Sequence, residues 1–493
     1  MTKKPNIVYI LADDMGYGDV LKYNENCKIN TVNLDKMCDA GLRFTDAHTT
    51  SAVCTPSRYG ILTGRYNWRS KLKSEVLGGY SEPLIEEETK TIGQLLQDEG
   101  YQTACIGKWH LGMSFAKTDD FVEKPGFKTC NGVDYSAIIE GGPNTRGFDY
   151  FYGIAASLDM PPYIYIEDNR FTDQEPFEVT AGIPGRKGAW WRSGPTGKNF
   201  VHENVLDDLC DKVLEKIEEY KENPFFIYFP LTAPHGPILP SQEFIGKSNT
   251  NFYGDFVLHC DDVVGRVMQK LTELNIADDT ILVFTTDNGC SPIADFEELH
   301  ALGHYPSYVF RGHKADVYEG GHRVPYIIKW PNGIKAGSVT DKTVCLSDFF
   351  ATVADLLDYQ ITPSMCVDSF SNLPLWNNED VNIRESVIHQ SCDGSLALRK
   401  GDFKLIMCST GGGWGKVKAL EMYEGMPDFQ LYNLKDDISE RKNLVNEHPE
   451  IFDAMKKELI KLVLNGRSTP GEPQHNHGEP IWETAKFLEE GVY

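Results

Sequence analysis

Apolar runs bounded by polar residues recur through the first two thirds of the chain. Residues 6–12 form an unbroken β-branched and aliphatic run, and further strand-like runs lie at 102–107, 225–229, 280–285 and 326–330. Continuous apolar strands are typical of a parallel sheet that is covered on both faces. We therefore expect these runs to be strands, and the first to be a central parallel strand.

Amphipathic segments with a helical period separate these runs. Their apolar positions recur every three or four residues, as on a helix with one buried face. We predict helices at 91–99, 206–222, 252–274 and 347–357. The alternation predicts an α/β fold with a large, mostly parallel central sheet and helices on both faces.

The pattern changes after about residue 380. Short strand-like segments joined by turns follow, at 386–389, 395–399, 404–408 and 430–434. A helical segment at 449–464 comes after them. We predict a large first domain at residues 1–380 and a second domain at residues 381–493, with a small antiparallel sheet, one helix and an extended tail.

The composition supports a two-domain globular protein and restricts its partners. The chain has 493 residues, which is long for a single core, and 41% of them are hydrophobic. The net charge of −24 disfavours binding to nucleic acid and to anionic membranes. Any anion must therefore bind in a local basic pocket, which makes Lys, Arg and His residues near strand ends the candidates.

Neither the cysteines nor the N-terminus define a compartment. The 12 cysteines include no C-x-x-C pair, so we expect mostly buried thiols, with a disulfide or two in an exported protein. The apolar run at 7–12 is too short for a signal sequence or a membrane span. We expect a periplasmic or extracellular protein whose leader is not in this sequence, and a cytoplasmic location stays open.

A long segment at 114–200 is rich in Gly, Pro and aromatic residues and shows no clear period. Such segments in compact enzymes commonly form part of the substrate side of a site. A packed surface cover is an equally good interpretation, and the sequence does not separate the two.

Oxygen-bearing side chains follow two of the predicted strands. Asp13 and Asp14 come after the first strand, and Asp287 and Asn288 come after the strand at 280–285. The carboxyl ends of parallel strands are where sites form in α/β sheets. Three carboxylates and an amide suit a hard cation, Ca²⁺ before Mg²⁺. Helix capping and turn formation are the alternative for either pair taken alone.

Basic residues lie near other predicted strand ends. Lys108 and His110 are two positions apart, so on an extended segment they would face the same way. His235 lies in a proline-bounded loop, which suits a proton donor. Lys314 lies in a turn rich in glycine and charge. Taken singly, each is more ordinary as a solvated or hydrogen-bonded side chain.

The stretch Cys54-Thr55-Pro56-Ser57-Arg58 connects these candidates. Helical spacing over 58–63 places Cys54 in the turn at a helix N-terminus, where an anion is favoured. With Leu62-Thr63-Gly64-Arg65, the stretch resembles the signature of the formylglycine-dependent (type I) sulfatases of the alkaline-phosphatase superfamily. Four further motifs resemble that family in the same order, at 11–19, 107–112, 286–289 and 314–321.

The resemblance implies an alkaline-phosphatase-like fold and a modified cysteine. In that family a separate formylglycine-generating enzyme oxidises the cysteine, so Cys54 would become formylglycine. One hydroxyl of the hydrated aldehyde would attack sulfur, and the other would then drive elimination of sulfate. A serine sulfate would have no such exit, because its ester is stable.

The resemblance also implies roles for the candidate residues. One group would hold a single Ca²⁺: Asp13, Asp14, Asp287, Asn288 and the modified Cys54. A second group would act on the sulfate and the leaving alcohol: Lys108 and Lys314 by neutralising sulfate oxygens, Arg58 by orienting the formylglycine, His110 in the elimination and His235 as proton donor. Asp287 is also a candidate base for the attacking hydroxyl.

The substrate is less well defined. The sequence, including residues 156–163, resembles bacterial sulfatases of the arylsulfatase A and N-acetylgalactosamine-6-sulfatase type. The resemblance implies a sulfated saccharide substrate, with galactose- or N-acetylgalactosamine-6-sulfate units as the first test. His304, Arg311 and His313 are candidate sugar contacts, with structural roles as the alternative. A phosphonate or phosphodiester hydrolase, an aryl sulfatase and a non-enzymatic glycan-binding protein stay open, although the intact set of site residues argues against the last.

Overall fold

The computed structural model describes residues 4–124, 129–180, 182–414 and 427–491. Its strands are β1 Asn6–Asp13, β2 Leu42–Phe44, β3 Ala47–His48, β4 Gln102–Lys108, β5 Lys117–Lys124, β6 Thr129–Val133, β7 Tyr150–Ile154, β8 Ile166–Glu167, β9 Arg170–Phe171, β10 Phe177–Val179, β11 Gly194–Thr196, β12 Phe225–Pro234, β13 Thr280–Thr286, β14 Tyr326–Lys329, β15 Ser338–Thr340, β16 Val344–Cys345, β17 Ser386–Gln390, β18 Leu396–Lys400, β19 Phe403–Ile406 and β20 Gln430–Asn433. Its helices are α1 Val32–Asp39, α2 Cys54–Thr63, α3 Ile92–Asp98, α4 Val205–Tyr220, α5 Phe252–Glu273, α6 Phe296–Ala301, α7 Glu319–His322, α8 Asp348–Leu356, α9 Leu373–Trp376 and α10 Pro449–Leu464.

A ten-stranded sheet organises the first domain, in the order β15-β2-β14-β13-β1-β12-β4-β7-β8-β9. Strand β1 lies at its centre and pairs in parallel with both β12 and β13. The sheet becomes antiparallel towards its edges, where β14 pairs with β13 and β8 with β7. The predicted α/β architecture, with a central and mostly parallel sheet, is confirmed.

The two faces of the sheet carry separate cores. On β1 the residues Val8 and Ile10 belong to a cluster that includes α4 and α5, whereas Ile7 and Tyr9 belong to a cluster that includes α2 and α8. Alternate residues of a strand point to opposite faces, so an unbroken apolar run serves both cores. This is why the run at 6–12 reads as a doubly covered strand.

The second sheet has the order β17-β18-β19-β20 and is antiparallel throughout. Helix α10 packs its apolar face, including Leu459 and Val463, into the same cluster as Leu398 and Leu405 of this sheet. The predicted strands and helix are therefore present. The extended tail is only partly so, because Glu483–Gly491 forms 3₁₀ turns. The domain boundary at residue 380 stays a prediction.

Eleven cysteines lie in the described side chains, and all are free thiols. No helix in the described ranges has the length and apolarity that a membrane span requires.

Candidate active site

The ends of two neighbouring strands bring the oxygen-bearing residues together. Strand β1 ends at Asp13, and β13, its parallel neighbour, ends one residue before Asp287. The Asp14 backbone has a φ of 70° and its N–H donates to Asp287 Oδ1 at 3.2 Å. Asn288 Nδ2 donates to Asp14 Oδ1 at 2.7 Å. All four residues are buried at one edge of the sheet.

Cys54 is the first residue of α2 and is buried. The segment before it is held from two sides, because Ala52 N–H donates to Gln390 O and Ala52 O accepts from Ala315 N–H, each at 2.8 Å. Burial raises the pKa of the Cys54 thiol, although Lys108 and Lys314 act in the opposite direction. An unmodified Cys54 is therefore a neutral thiol at pH 7.

Arg58 lies one helical turn after Cys54 and is fully buried. Its Nε and Nη2 both donate to Asp287 Oδ2, at 3.0 and 2.7 Å, and its Nη1 donates to the Lys108 carbonyl at 2.8 Å. A buried guanidinium requires such partners. The side chain thus ties α2 to the ends of β13 and β4.

Two lysines neutralise the aspartates that follow β1. Lys108 Nζ lies 2.7 Å from Asp13 Oδ2, and Lys314 Nζ lies 2.5 Å from Asp14 Oδ1. Burial opposes ionisation of Asp13, but Lys108, His235 and Arg58 hold its pKa well below the usual range. The site therefore contains at least one firmly ionised carboxylate.

The pKa of Asp287 is raised, unlike that of Asp13. Burial and the neighbouring charge of Asp13 raise the pKa of Asp287 to about 7, against the effect of Arg58. This carboxylate is therefore the one in the site that is best suited to take up a proton near neutral pH.

The two histidines present different nitrogens. His110 donates from Nε2 to the Leu77 carbonyl at 2.8 Å, and burial lowers its pKa well below the usual range, so its Nδ1 is a free acceptor. That Nδ1 has no hydrogen-bond partner in the described ranges. His235 donates from Nδ1 to Gly236 O at 2.5 Å, which leaves Nε2 3.7 Å from Asp14 Oδ2. The tautomers follow from these contacts.

The prediction that Lys108 and His110 lie on one extended segment and therefore face the same way is wrong. Strand β4 ends at Lys108, and His110 has a φ of 57°. The backbone turn, not an extended segment, orients the imidazole.

Three buried oxygens fit a hard cation. Asp13 Oδ1, Asp14 Oδ2 and Asn288 Oδ1 lack a hydrogen-bond partner among the described residues. Unpaired buried oxygens are costly and uncommon, and a bound cation would satisfy them. Ligand atoms of Asp13, Asp14 and His235 also lie within 4.8 Å of one another. Carboxylate and amide oxygens match the preference of Ca²⁺.

A pocket of about 640 Å³ opens above this site. At its base lie Asp14, Cys54, His235 and Lys314. Its walls come from several further parts of the chain. They are Ser157, Asp159, Met160, Trp190 and Arg192 from the irregular segment, Glu75 and Val76 after α2, Gly236 beside His235, Ser291, Pro292 and Ile293 after β13, and Cys392, Asp393, Gly412, Gly413 and Trp414 from the chain beyond residue 380. The irregular segment at 114–200 thus supplies part of the pocket wall, which favours its interpretation as the substrate side.

The three candidate sugar contacts lie outside the pocket wall. His304 is buried with Nε2 2.8 Å from Asp19 Oδ1. Arg311 donates to the Tyr432 hydroxyl and the Glu440 carbonyl at 3.1 and 2.8 Å, which joins the two domains. His313 donates from Nδ1 to the Lys314 carbonyl at 2.9 Å. These contacts support the structural alternative for all three.

Sequence reasoning did not assign the pocket wall. Asp159, Arg192 and Trp190 lie in the segment without a period, and Trp414 lies in a glycine-rich loop 100 positions after Lys314. The available signals were the composition of the segment at 114–200, which is typical of a substrate side, and the tryptophans in predicted loops.

Comparison with known proteins decides the family. The family model for Sulfatase matches residues 5–359, and that for N-sulphoglucosamine sulphohydrolase, C-terminal, matches residues 312–465. The chain belongs to the sulfatase family. It is therefore a sulfuric ester hydrolase.

Individual relatives extend over nearly the whole chain. N-acetylgalactosamine-6-O-sulfatase of Bacteroides thetaiotaomicron is 32% identical over 94% of this chain and 93% of its own. Human arylsulfatase A is 28% identical over 97% of this chain and 92% of its own. A structure from Bacteroides thetaiotaomicron, solved in work on the metabolism of multiple glycosaminoglycans, has a TM-score of 0.81 and 31% identity, and covers 94% of this chain and 99% of its own.

The fold alone is shared more widely. Phosphonate monoester hydrolase of Agrobacterium radiobacter matches with a TM-score of 0.60 at 16% identity, over 93% of this chain and 95% of its own. Shared fold therefore does not separate sulfate from phosphonate esters, and the residues of the site must do so.

Proposed function

We propose that this sulfatase removes sulfate from a carbohydrate, with a hydrated formylglycine made from Cys54 as nucleophile and one Ca²⁺ in the site. The observation that carries the proposal is the position of Cys54, at a helix N-terminus beside two lysines and three unpaired oxygens. The names of the relatives, in particular N-acetylgalactosamine-6-O-sulfatase, support a saccharide substrate.

The proposed Ca²⁺ ligands are Asp13, Asp14, Asp287, Asn288 and the modified residue 54. The ion would supply positive charge to the sulfate oxygens and lower the pKa of the nucleophilic hydroxyl. Lys314 and Lys108 would add charge from the protein side, since both ammonium groups already lie within 2.7 Å of site carboxylates. Arg58, fixed by Asp287, would hold residue 54 in orientation.

Proton transfers are assigned from the free nitrogens. His235 lines the pocket with Nε2 3.7 Å from Asp14 Oδ2, and in its doubly protonated imidazolium form it would donate the Nε2 proton to the departing alcohol oxygen. His110 would accept a proton at Nδ1 when the aldehyde is restored. Asp287 would accept the proton of the attacking hydroxyl.

Maturation of Cys54 is the direct test. The tryptic peptide of residues 44–58 should be lighter than its sequence mass and should react with a hydrazide. Cys54→Ser should abolish turnover and leave the fold unchanged, whereas the control Cys408→Ser, at a half-buried thiol outside the pocket, should keep activity. Retained activity in Cys54→Ser would contradict the proposed nucleophile.

A substrate panel tests the reaction class. Galactose-6-sulfate and N-acetylgalactosamine-6-sulfate should be hydrolysed faster than phosphodiesters or phosphonate monoesters. Faster turnover of the phosphorus esters would overturn the carbohydrate sulfatase proposal. The same proposal includes a maturation partner, which is an enzyme that recognises the Cys54 stretch. It also includes a periplasmic or extracellular location.

A further inference from the structure

One wall of the pocket carries polar groups that the protein leaves without partners. Ser157 Oγ, Asp159 Oδ1 and Arg192 Nε are buried atoms with no hydrogen-bond partner among the residues described. All three residues line the pocket, and Ser157 is only 1% exposed. Unpaired buried polar groups are rare because each one costs free energy. Their position indicates a polar ligand that approaches from the pocket.

Asp159 and Arg192 are held as a rigid pair. Arg192 Nη1 donates to Asp159 Oδ2, and both Nη1 and the Arg192 backbone N–H donate to the Asp159 carbonyl at 3.2 Å. The Tyr163 hydroxyl donates to the Arg192 carbonyl at 2.7 Å and fixes the backbone. A carboxylate that accepts and a guanidinium that donates, placed side by side, complement a hydroxyl, which does both.

Exposed indoles complete the pocket. Trp190 is 51% exposed and lies 5.1 Å from the Arg192 guanidinium, whereas Trp414 is 53% exposed and lies 5.7 Å from Lys314 Nζ. Trp414 is thus next to the sulfate end, and Trp190 is next to the polar pair. Flat apolar surfaces beside hydroxyl-binding groups suit a sugar ring, which has apolar faces and a polar edge.

The charge of the wall limits what else the sugar can carry. Beyond the base of the pocket, the described lining residues include two carboxylates, Glu75 and Asp159, and one guanidinium, Arg192. A second anionic group on the bound sugar would face this excess of negative charge, and the described lining beyond the base offers it no cation other than Arg192.

We infer that Asp159 and Arg192 are specificity-determining residues that bind hydroxyl groups of the sulfated sugar, and that the pocket selects a sugar whose only anionic group is its sulfate. The inference rests on the proposed carbohydrate sulfatase function and names its substrate class: a neutral hexose or N-acetylhexosamine that carries one sulfate.

The experiment compares three substrates on the matured enzyme. These are N-acetylgalactosamine-6-sulfate, the 4,6-disulfated sugar and 4-nitrophenyl sulfate, which has no sugar hydroxyls. In Asp159→Asn and Arg192→Gln we expect kcat/KM for the monosulfated sugar to fall by about tenfold or more, mainly through KM. Turnover of 4-nitrophenyl sulfate should stay within about twofold, because the sulfate end is unchanged.

The activity on the disulfated sugar, relative to that on the monosulfated sugar, would not change if Asp159 had only a structural role. The wild type should have a higher kcat/KM for the monosulfated sugar than for the disulfated sugar. Asp159→Asn should reduce the ratio of these two values because it removes a negative charge from the wall. The matched control is Asp211→Asn, which breaks an exposed Asp–Arg pair with Arg266 outside the pocket and should change none of the three activities.

Each outcome has a distinct meaning. If the wild type hydrolyses no sulfated sugar, the proposed function fails and this inference fails with it. If the wild type hydrolyses the monosulfated sugar and both variants have the same kcat/KM as the wild type, only the inference is overturned. The inference is also overturned if the variants lose activity on the sugar and on 4-nitrophenyl sulfate by the same factor. If the variants do not fold, a wild type that accepts the disulfated sugar equally well overturns it.

Discussion

At the residue scale, the site depends on charges that are removed from water and given fixed partners. Arg58 is the example: every one of its described hydrogen bonds goes to Asp287 or to the Lys108 carbonyl. Removal of one member of a buried ion pair leaves the other charge uncompensated. Stability and positioning of the nucleophile are therefore coupled at this residue.

Arg58→Met should destabilise the protein by about 3–5 kcal/mol, because Asp287 would lose its buried partner. Urea unfolding measures this change. The control Arg266→Met removes a half-exposed guanidinium that pairs with Asp207 and Asp211, and should cost less than about 1 kcal/mol. Equal losses would show that burial of the Arg58 pair is not what matters.

Lys314→Met should lower kcat by about 10²–10³-fold, since one preorganised positive charge at the sulfate oxygens is lost. Steady-state kinetics on a sulfated sugar measures it. Lys187→Met removes an exposed lysine whose partner is Asp295, and should leave kcat unchanged. A kcat for Lys314→Met that equals the wild type would exclude Lys314 from the reacting site.

At the element scale, three buried imidazoles join β3, α7 and β17. His48 Nδ1 lies 3.0 Å from His322 Nδ1, and the rings of His322 and His389 stack with centroids 3.7 Å apart. Burial lowers the pKa of all three. A chain of neutral tautomers fits the contacts, from the Lys404 ammonium through His322 and His48 to Asp46.

These imidazoles predict a loss of stability in acid. In the unfolded chain these histidines take up protons near the ordinary histidine pKa of about 6.5, whereas in the folded protein they stay neutral. Their contribution to the free energy of unfolding is therefore complete above that pH and falls as the pH decreases. Burial raises the pKa of Glu440 and of Asp287 to about 7 and that of Asp261 to about 6, and these three carboxylates act in the opposite direction. Burial also lowers the pKa of His202 to about 4, so four imidazoles oppose the three carboxylates.

The melting temperature should therefore fall between about pH 7.5 and about pH 5.5, and His389→Phe should reduce that fall. Phe keeps the stacked ring and removes a titrating group whose Nε2 has no described partner. His300→Phe, at an exposed histidine, is the control and should follow the wild type. An identical acid dependence in all three proteins would contradict a role for the cluster.

At the scale of the whole molecule, the buried oxygens that could hold a cation lie at one place in an acidic protein. The net charge is −24, yet the unpaired oxygens converge at the ends of β1 and β13. A ligand that binds only the folded state stabilises it by mass action.

Ca²⁺ at 100 times its dissociation constant should stabilise the folded protein by about 2.7 kcal/mol, and a chelator should reverse the effect. Thermal unfolding with Ca²⁺, Mg²⁺ or chelator measures this without reference to activity. Asp14→Asn should lose the Ca²⁺-dependent shift, whereas Asp211→Asn, at an exposed carboxylate, should keep it. A melting temperature that does not change with Ca²⁺ would contradict the proposed metal site.

The part of the chain after residue 380 contributes to the same pocket. Trp414 and Asp393 reach the wall from beyond residue 380, and Gln390 holds the segment before Cys54. A site of this kind requires both parts of the chain in place, although the sequence pattern separates them.

The sequence by itself determined the features that depend on neighbours along the chain. The run at 6–12 has to be a doubly covered strand, and Thr91 and Gln94 form the capping box that begins α3. The position of Asp13, Asp14, Asp287 and Asn288 at strand ends predicts that they are site residues, and the Cys54 stretch indicates the family because its residues are contiguous in the sequence.

Only the tertiary structure decided what depends on residues far apart in sequence. The antiparallel edge at β14, the left-handed turn at His110 and the structural contacts of His304 have no local signature. The pocket wall is the clearest case, since Asp159, Arg192 and Trp414 meet there through packing of separate loops. Periodicity reports burial, but the direction in which an irregular loop turns is set by the surfaces against which it packs.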